Sequence, residues 1–137
     1  MADAPPAADV VAVAEFRAAL RRFMRISERN ARAAGLTPQR YLLLLMIKGA
    51  PDGSERSTVT ELADLLQLQQ STVTELVGRA ESAGLVRRSP SANDGRVVHL
   101  SVTQEGDRVL AVVVAQLGAE RRRLAQLIAQ LEAPAQA

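Results

Sequence analysis

Apolar residues recur at three- and four-residue steps near the start of the chain, as they do along one face of a helix. We therefore predict an amphipathic helix over residues 9–34, ended by Gly35, after a disordered arm over residues 1–8 that is rich in Ala and Pro. A second, nearly all-apolar helix follows, with Thr37 as its N-cap and Pro38 in its first position. The apolar stripe of the first helix consists of Val13, Phe16, Leu20 and Phe23.

Two short helices separated by three residues are predicted in the middle of the chain. The sequence TVTE at residues 58–61 is typical of a capping box, so one helix runs from about Val59 to Leu66. The other follows the connection at residues 67–69 and ends before Gly84, which suits a left-handed C-cap. Its apolar side, which we expect to pack inward, consists of Val73, Leu76, Val77 and Ala80.

A hairpin and a long helix complete the pattern. Strand candidates at residues 85–88 and 97–100 flank a segment dense in turn-forming residues, which predicts a hairpin with a long tip. Leucines seven residues apart then predict one helix from Thr103 to about Glu132 that pairs with other helices. Two short helices followed by a hairpin form a winged helix-turn-helix, whose second helix enters the DNA major groove. The predicted fold is therefore mainly α with a small β-hairpin wing.

The outward side of the second short helix and the wing supply the candidate DNA contacts. Small hydroxyl side chains at a helix start approach phosphates and base edges closely, and glutamines can hydrogen-bond adenine in a bidentate manner. Arginine at the wing suits phosphates and a narrow minor groove. The predicted DNA-binding residues are Gln69, Gln70, Ser71, Thr72, Thr74, Glu75, Arg79, Arg87, Arg88, Asn93, Asp94 and Arg96.

Short motifs occur in a fixed order over residues 36–110. They are LTPQRY at 36–41, ELA at 61–63, STVT at 71–74, GLVRR at 84–88, NDGR at 93–96 and LSVTQEG at 100–106. In order and spacing these motifs resemble the MarR-type family of winged helix-turn-helix transcriptional regulators. The flanking helices resemble the family in position and amphipathicity.

The resemblance implies a dimer that holds two DNA-binding modules, each at residues 55–103, over successive major grooves of double-stranded DNA. Its dimerisation helices, at residues 9–34 and 104–132, would intertwine, and Asp94 would hold Arg96 by a salt bridge. The residues agree independently, because neither terminal helix can bury its stripe on so small a module. Two-fold symmetry predicts a pseudo-palindromic operator with half-sites about 10 base pairs apart.

Family members of this kind are often repressors that an aromatic or phenolic small molecule releases from DNA. The residues that we expect to line an effector pocket between the dimer helices and the module are Phe16, Phe23, Arg25 and Tyr41. Two other hypotheses stay open: a ligand-independent DNA-binding regulator or activator, and a helical dimerisation module whose winged part binds protein.

Composition narrows the function classes further. With 137 residues, 47% of them apolar, we expect a single domain over residues 9–137. The chain has no cysteine, and His99 is its one histidine, so we expect no disulfide, metal site, cofactor or catalytic triad and therefore no enzyme. The longest apolar run, residues 41–47, is too short to span a bilayer, and no leader precedes it, so we expect a cytoplasmic protein without a membrane partner.

Charge is less typical of a DNA-binding protein. The net charge is +2, and sixteen of the seventeen basic residues are arginine, yet residues 55–108 hold six arginines against eight acids. Glu75 lies at the centre of the exposed face, where it can accept a hydrogen bond from cytosine or repel phosphate. Gly78, beside it, would permit close approach of the backbone to DNA. For residues 121–123, all arginine, a solvated face or ion pairs across the dimer is favoured over DNA contact.

Overall fold

The structure, a computed structural model, describes residues 3–132. Over these residues, helices and strands follow one another in the order that the hydrophobic pattern predicts, with one added strand and one break in a helix. The elements are α1 (Ala7–Ala33), α2 (Pro38–Lys48), β1 (Arg56–Ser57), α3 (Val59–Leu66), α4 (Gln70–Ser82), β2 (Val86–Pro90), β3 (Val98–Val102), α5 (Gln104–Ala115) and α6 (Gly118–Glu132).

The helix ends follow the predicted local signals. The Thr37 hydroxyl accepts a hydrogen bond from the Arg40 amide at 3.2 Å, as an N-cap does. At the start of α3, Thr58 and Glu61 each accept a hydrogen bond from the other's backbone amide, so the predicted capping box is confirmed. Gly84 has a φ of +76°, the left-handed conformation that glycine adopts without strain after a helix.

The N-terminal arm is shorter than predicted. Helix α1 begins at Ala7, because the Pro6 carbonyl accepts hydrogen bonds from the amides of Asp9 and Val10. Residues 7 and 8, which the sequence assigns to the arm, are therefore helical. Residues 1 and 2 of the predicted arm lie outside the described residues, as do residues 133–137 of the predicted domain.

Three antiparallel strands form a small sheet in the order β1-β3-β2. Strand β2 pairs with β3 from Val86 opposite Val102 to Pro90 opposite Val98, which confirms the hairpin. Strand β1 was not predicted, because two residues are too few to show any alternation; it exists because Ser57 pairs with Leu100. The inner side of the sheet, with Leu100 and Val102, is buried.

The core is organised around α2, which packs against α1, α3, α4, α5 and the sheet. Its residues Leu43, Leu44 and Ile47 are completely buried, which explains the nearly continuous apolar run. The inward side of α4 is as predicted, because Val73, Leu76, Val77 and Ala80 are all buried. The position of α4 against α2 fixes which side chains it presents outward.

Helix α1 is less buried than its stripe suggests. Phe16, Leu20 and Phe23 are half-buried and Val13 is 55% exposed within one chain. The buried positions of α1 are instead Ala19, Ser27 and Ala31, whose small side chains let neighbouring helices approach closely. Much of the apolar stripe of α1 is therefore left uncovered by the chain itself.

The prediction of one continuous helix from Thr103 to Glu132 is wrong. Helix α5 ends at Ala115 and α6 begins at Gly118, because the amides of Gln116 and Leu117 bond to carbonyls three residues back, and glycine is a poor helix former. The break lets α6 pack against α1 of the same chain. Within residues 3–132, no helix combines the length and the hydropathy that crossing a membrane requires.

Candidate nucleic-acid interface

The turn between α3 and α4 sets the direction of α4. Gln67 adopts a left-handed conformation with a φ of +55°, and its side-chain amide donates a hydrogen bond to the Asp64 carbonyl. The Leu68 amide bonds to the Ala63 carbonyl, which closes the end of α3. The predicted connection at residues 67–69 therefore projects α4 away from α3 with its polar side in solvent.

The outward side of α4 presents the predicted polar residues together. Gln69, Gln70, Ser71, Thr74, Glu75 and Arg79 are exposed, and Thr72 and Gly78 are half-buried. The Thr74 hydroxyl donates to the Gln70 carbonyl at 2.9 Å, which leaves its oxygen free to accept from a ligand.

The N-terminus of α4 differs from those of α3 and α5. Thr58 and Thr103 cap α3 and α5 with their side chains, and both of those helices have acidic residues in the first turn. Helix α4 has Gln69 as its N-cap residue, with no side-chain cap hydrogen bond and no acid in its first turn. Its free amides and the positive end of its dipole thus favour an anion such as a phosphate.

The wing tip carries an arginine in a fixed position. Asp94 accepts a hydrogen bond from the Arg96 amide at 3.0 Å, and its carboxylate lies 3.5 Å from the Arg96 guanidinium. This is the contact that the family resemblance implies. The Arg96 side chain is nevertheless 94% exposed, so the guanidinium projects beyond the hairpin. Asn93, beside it, is also exposed.

The two arginines of β2 have different surroundings. Arg88 contacts Glu81 of α4 at 3.0 Å. Arg87 stands opposite Ser101, which itself stands opposite Arg56 of β1, so the three lie in a row on the outer side of the sheet. Arg56 is a candidate that sequence reasoning missed, because nothing local indicates that β1 joins the sheet. On the same side, His99 is half-buried and its Nδ1 has no hydrogen-bond partner among the described residues.

Ion pairs account for most of the acids that lie within residues 55–108. Glu55 and Asp107 contact Lys48 at 2.9 and 3.2 Å, Glu81 contacts Arg88, Asp94 contacts Arg96, and Glu105 contacts Arg108. The hydrogen bonds that Lys48 donates to Glu55 and Asp107 raise the pKa of Lys48, and the hydrogen bond that Arg108 donates to Glu105 lowers the pKa of Glu105. Five of the eight acids are thus paired locally, but the same pairs engage three of the six arginines. Only Lys48, which lies outside residues 55–108, adds a positive charge, and it changes the balance from −2 to −1.

A shallow depression of about 590 Å³ lies beside α4. Arg40 of α2 contributes to its rim, although no local signal around this residue predicts a position near DNA. Arg40 precedes the buried Tyr41, and its neighbourhood with α4 arises from packing between the two helices. The depression is lined by Arg40, Glu75, Gly78, Arg79, Ser82 and Ala83.

Of the four residues predicted to line an effector pocket, Tyr41 belongs to the hydrophobic core and Phe23 packs against that core, while Arg25 is exposed on α1. Tyr41 is 3% exposed, and burial raises the pKa of its phenol. Arg25 lines a depression of about 420 Å³ along α1, of which Phe16, Phe23 and Tyr41 are not part. That depression is lined by Arg17, Leu20, Arg21, Met24, Arg25 and Glu28. In the described part of the chain, no group of three or more acidic or histidine residues is placed to hold a metal ion.

Comparison with known proteins bears on the module as a whole. A sequence model of the MarR family matches residues 34–97, which include α2, α3, α4 and β2. The HTH-type transcriptional repressor MdtR from Bacillus subtilis is 36% identical over 73 residues, which make up 53% of this chain and 44% of MdtR. The chain thus spans less than half the length of this curated relative. The predicted resemblance is confirmed.

Solved structures agree with the fold. MarR from E. coli, solved as a cysteine-to-serine mutant complexed with operator DNA, has a TM-score of 0.67 at 23% identity and matches over 85% of this chain and 84% of MarR. AbsC, a MarR family transcriptional regulator from Streptomyces coelicolor, has a TM-score of 0.68 at 22% identity, over 97% of this chain and 86% of AbsC. The winged helix-turn-helix fold is confirmed.

Proposed function

Since a sequence model of the MarR family matches residues 34–97, we propose that the chain is a MarR-type, sequence-specific DNA-binding regulator of transcription, and that it acts as a dimeric repressor rather than an enzyme. The observation that carries this proposal is the uncapped, acid-free N-terminus of α4, which lies on the same module as the exposed Arg96 of the wing. The description of MdtR as a repressor and the operator complex of E. coli MarR support it.

In this function α4 enters the major groove. Ser71, Thr72 and Thr74 contact phosphates and base edges there, and Gln69 and Gln70 hydrogen-bond adenine. Arg96 enters the adjacent minor groove, where the negative potential is strongest if the groove is narrow. Arg87 and Asn93 lie on the wing beside it and contact the backbone.

A homodimer is the form that we propose binds the operator. Of the twelve large apolar residues that are exposed within residues 3–132 of one chain, eight lie on α1, α5 and α6, so exposed apolar surface is concentrated on the terminal helices. A second copy of the chain would cover it and would present two α4 helices to half-sites about 10 base pairs apart. The eight residues are Val10, Val11, Val13, Met24, Val112, Val114, Ile128 and Leu131.

The effector site that we propose is the depression along α1. Arg17, Arg21 and Arg25 offer guanidinium groups to a carboxylate or phenolate, and Leu20 and Met24 offer an apolar surface to an aromatic ring. Such a ligand releases DNA only if it binds the dimer more tightly when the two modules have their DNA-free spacing than when they have their DNA-bound spacing. Salicylate, an aromatic acid, is a suitable first probe.

The experiment is a gel-shift titration with DNA from upstream of the protein's own gene and with random DNA of equal length, at several salt concentrations. We expect tight binding to one upstream fragment and weak, strongly salt-dependent binding to random DNA. Arg96→Ala should weaken operator binding by about 1–3 kcal/mol and flatten the salt dependence. Equal, weak binding to both DNAs by both proteins would contradict the proposal and favour a winged part that binds protein.

A screen of aromatic acids and phenols then separates the two kinds of regulator. A probe that weakens operator binding by wild type and by Phe16→Ala, but not by Arg21→Gln, supports the α1 depression as the effector site. Operator affinity that stays unchanged across the screen indicates a ligand-independent regulator.

A further inference from the structure

The depression beside α4 brings together two arginines that come from different helices. Arg40 lies near the start of α2, and Arg79 lies in the last turn of α4; Glu75 and Gly78 of α4 line the same depression. Neither arginine takes part in an ion pair among the described residues, whereas Arg88, Arg96 and Arg108 all do. These two cations are thus available to an external anion.

The position of Arg40 is fixed by packing. The Thr37 hydroxyl caps α2 at the Arg40 amide, and the next residue, Tyr41, is buried. Leu44, one turn further, is completely buried, and α2 packs directly against α4. The backbone of Arg40 is therefore held beside α4, and its half-buried side chain lines the depression.

Gly78 keeps the depression open. A Cβ atom added at this position would meet no atom within 4 Å, so the space above it is empty. Because glycine has no side chain, a sugar-phosphate backbone can approach the helix there more closely than elsewhere on the same face. The depression is also lined by two arginines, whose planar guanidinium donors match the oxygens of a phosphate.

Charge favours an anion as well. The two arginines and Glu75 give the depression a net charge of +1, so Glu75 is not an isolated negative charge on the DNA-facing side. The depression is continuous with the outward side of α4, because it shares Glu75 and Arg79 with it.

We propose that Arg40 binds a DNA backbone phosphate at the edge of the groove that α4 occupies, which makes α2 a third DNA-binding element beside α4 and the wing. Arg79, which lines the same depression, holds the same strand. This inference rests on the proposed function, because it requires that α4 faces DNA.

The test compares full-length wild-type protein with Arg40→Gln in gel-shift titrations at several salt concentrations. A phosphate contact carries no base information, so we expect affinity to fall roughly tenfold on both operator and random DNA. Because the dimer carries two copies of Arg40, the slope of log affinity against log salt should become shallower by about 1.8, which is about 0.9 for each of two phosphate contacts. Arg40→Lys keeps the charge and should restore most of the slope, with an affinity between those of the other two proteins.

Arg108→Gln is the matched control. It removes the same charge from α5, where Arg108 is exposed and already paired with Glu105, and it should leave the slope unchanged. Thermal unfolding of all variants checks folding. If Arg40→Gln unfolds early, Arg40→Lys and Arg40→Ala decide instead. Wild-type affinity and slope in Arg40→Lys, together with wild-type affinity in a folded Arg40→Ala, would overturn the inference.

The outcomes separate the inference from the function. If wild type binds the operator and Arg40→Gln keeps its affinity and slope, the inference is wrong and the function stands. A loss confined to operator DNA would also overturn it, because that result indicates a base contact. A wild-type protein that binds no DNA would overturn both.

Discussion

Arg88 Nε lies 3.0 Å from Glu81 Oε1, and this ion pair joins the wing to the last turn of α4. Both side chains are about two-fifths exposed, so the pair orients the wing relative to α4 more than it stabilises the fold. It also occupies the guanidinium of a residue that the sequence predicts to bind DNA. Arg87, the neighbouring residue, has no ion-pair partner among the described residues.

The two arginines of β2 should therefore respond differently to substitution. We expect Arg87→Gln to weaken DNA binding more than Arg88→Gln, because Arg88 must leave Glu81 before it can contact a phosphate. A double-mutant cycle of Arg88→Gln and Glu81→Gln should give a coupling energy of about 0.2–1 kcal/mol in urea unfolding. Stronger loss of DNA affinity in Arg88→Gln than in Arg87→Gln would contradict this assignment.

Glu75 offers a second test of the α4 face. Because Glu75 lines the same depression as Arg40 and Arg79, Glu75→Gln removes a negative charge from the approach of the phosphate backbone. We expect affinity for random DNA to rise about two- to fivefold. If the carboxylate also accepts a hydrogen bond from cytosine, operator affinity will rise less, and the ratio of operator to random binding will fall. If Glu75→Gln binds random DNA no more tightly than wild type does, Glu75 does not face the DNA backbone.

Gly106 in α5 lies where the helix meets the sheet. A Cβ atom there would lie 2.5 Å from the Leu85 carbonyl oxygen and 2.5 Å from Val102 Cγ1, and the backbone cannot move aside cheaply. We expect Gly106→Ala to lower the free energy of unfolding by about 1–3 kcal/mol, measured by urea denaturation at fixed protein concentration.

Gly78→Ala provides the control for Gly106→Ala. Its added Cβ meets no atom within 4 Å, and alanine favours the interior of a helix by about 1 kcal/mol over glycine. It should be neutral or stabilising. Equal destabilisation by both substitutions would show that the close contact at Gly106 is not the cause.

The pH dependence of stability should report Tyr41. Burial raises the pKa of this phenol in the folded state above its ordinary value of 10.0. A group whose pKa is higher in the folded state than in the unfolded state stabilises the folded protein at pH values below the unfolded pKa. This stability is lost as the pH rises through the folded pKa. Above pH of about 10, wild type should therefore lose stability more steeply than Tyr41→Phe.

Tyr41 is the one tyrosine of the chain, which has no tryptophan, so phenolate absorbance reports this group alone. In the folded protein the phenolate should form at higher pH than in urea-unfolded protein. The same midpoint in both states would contradict the prediction.

The apolar surface of the terminal helices should control assembly. Ile128 on α6 is 40% exposed in one chain, and Leu65 on α3 is 38% exposed. We expect Ile128→Asp to shift the protein from dimer to monomer in size-exclusion chromatography with light scattering, and to weaken operator binding with it. The matched variant, Leu65→Asp, should remain dimeric. A wild-type protein that is monomeric at micromolar concentration would contradict the dimer.

Short-range signals in the sequence were enough to predict most of the elements. The capping box of Thr58 and Glu61 and the inward side of α4 depend on residues three and four positions apart, so their pattern is visible in any short window. The order of those elements was enough to predict the winged module. The predicted contact of Asp94 with Arg96 is likewise local.

Only the tertiary structure decided what depends on residues far apart in the chain. Strand β1 exists because Ser57 pairs with Leu100, and α6 turns back onto α1 after a break at Gly118. The place of Arg40 beside Glu75 and Arg79 also follows from packing between helices. Local periodicity determines which side of a helix is buried. Which neighbouring element covers that side depends on the free energy of the whole core. That packing decided which charged residues lie together at the candidate interface.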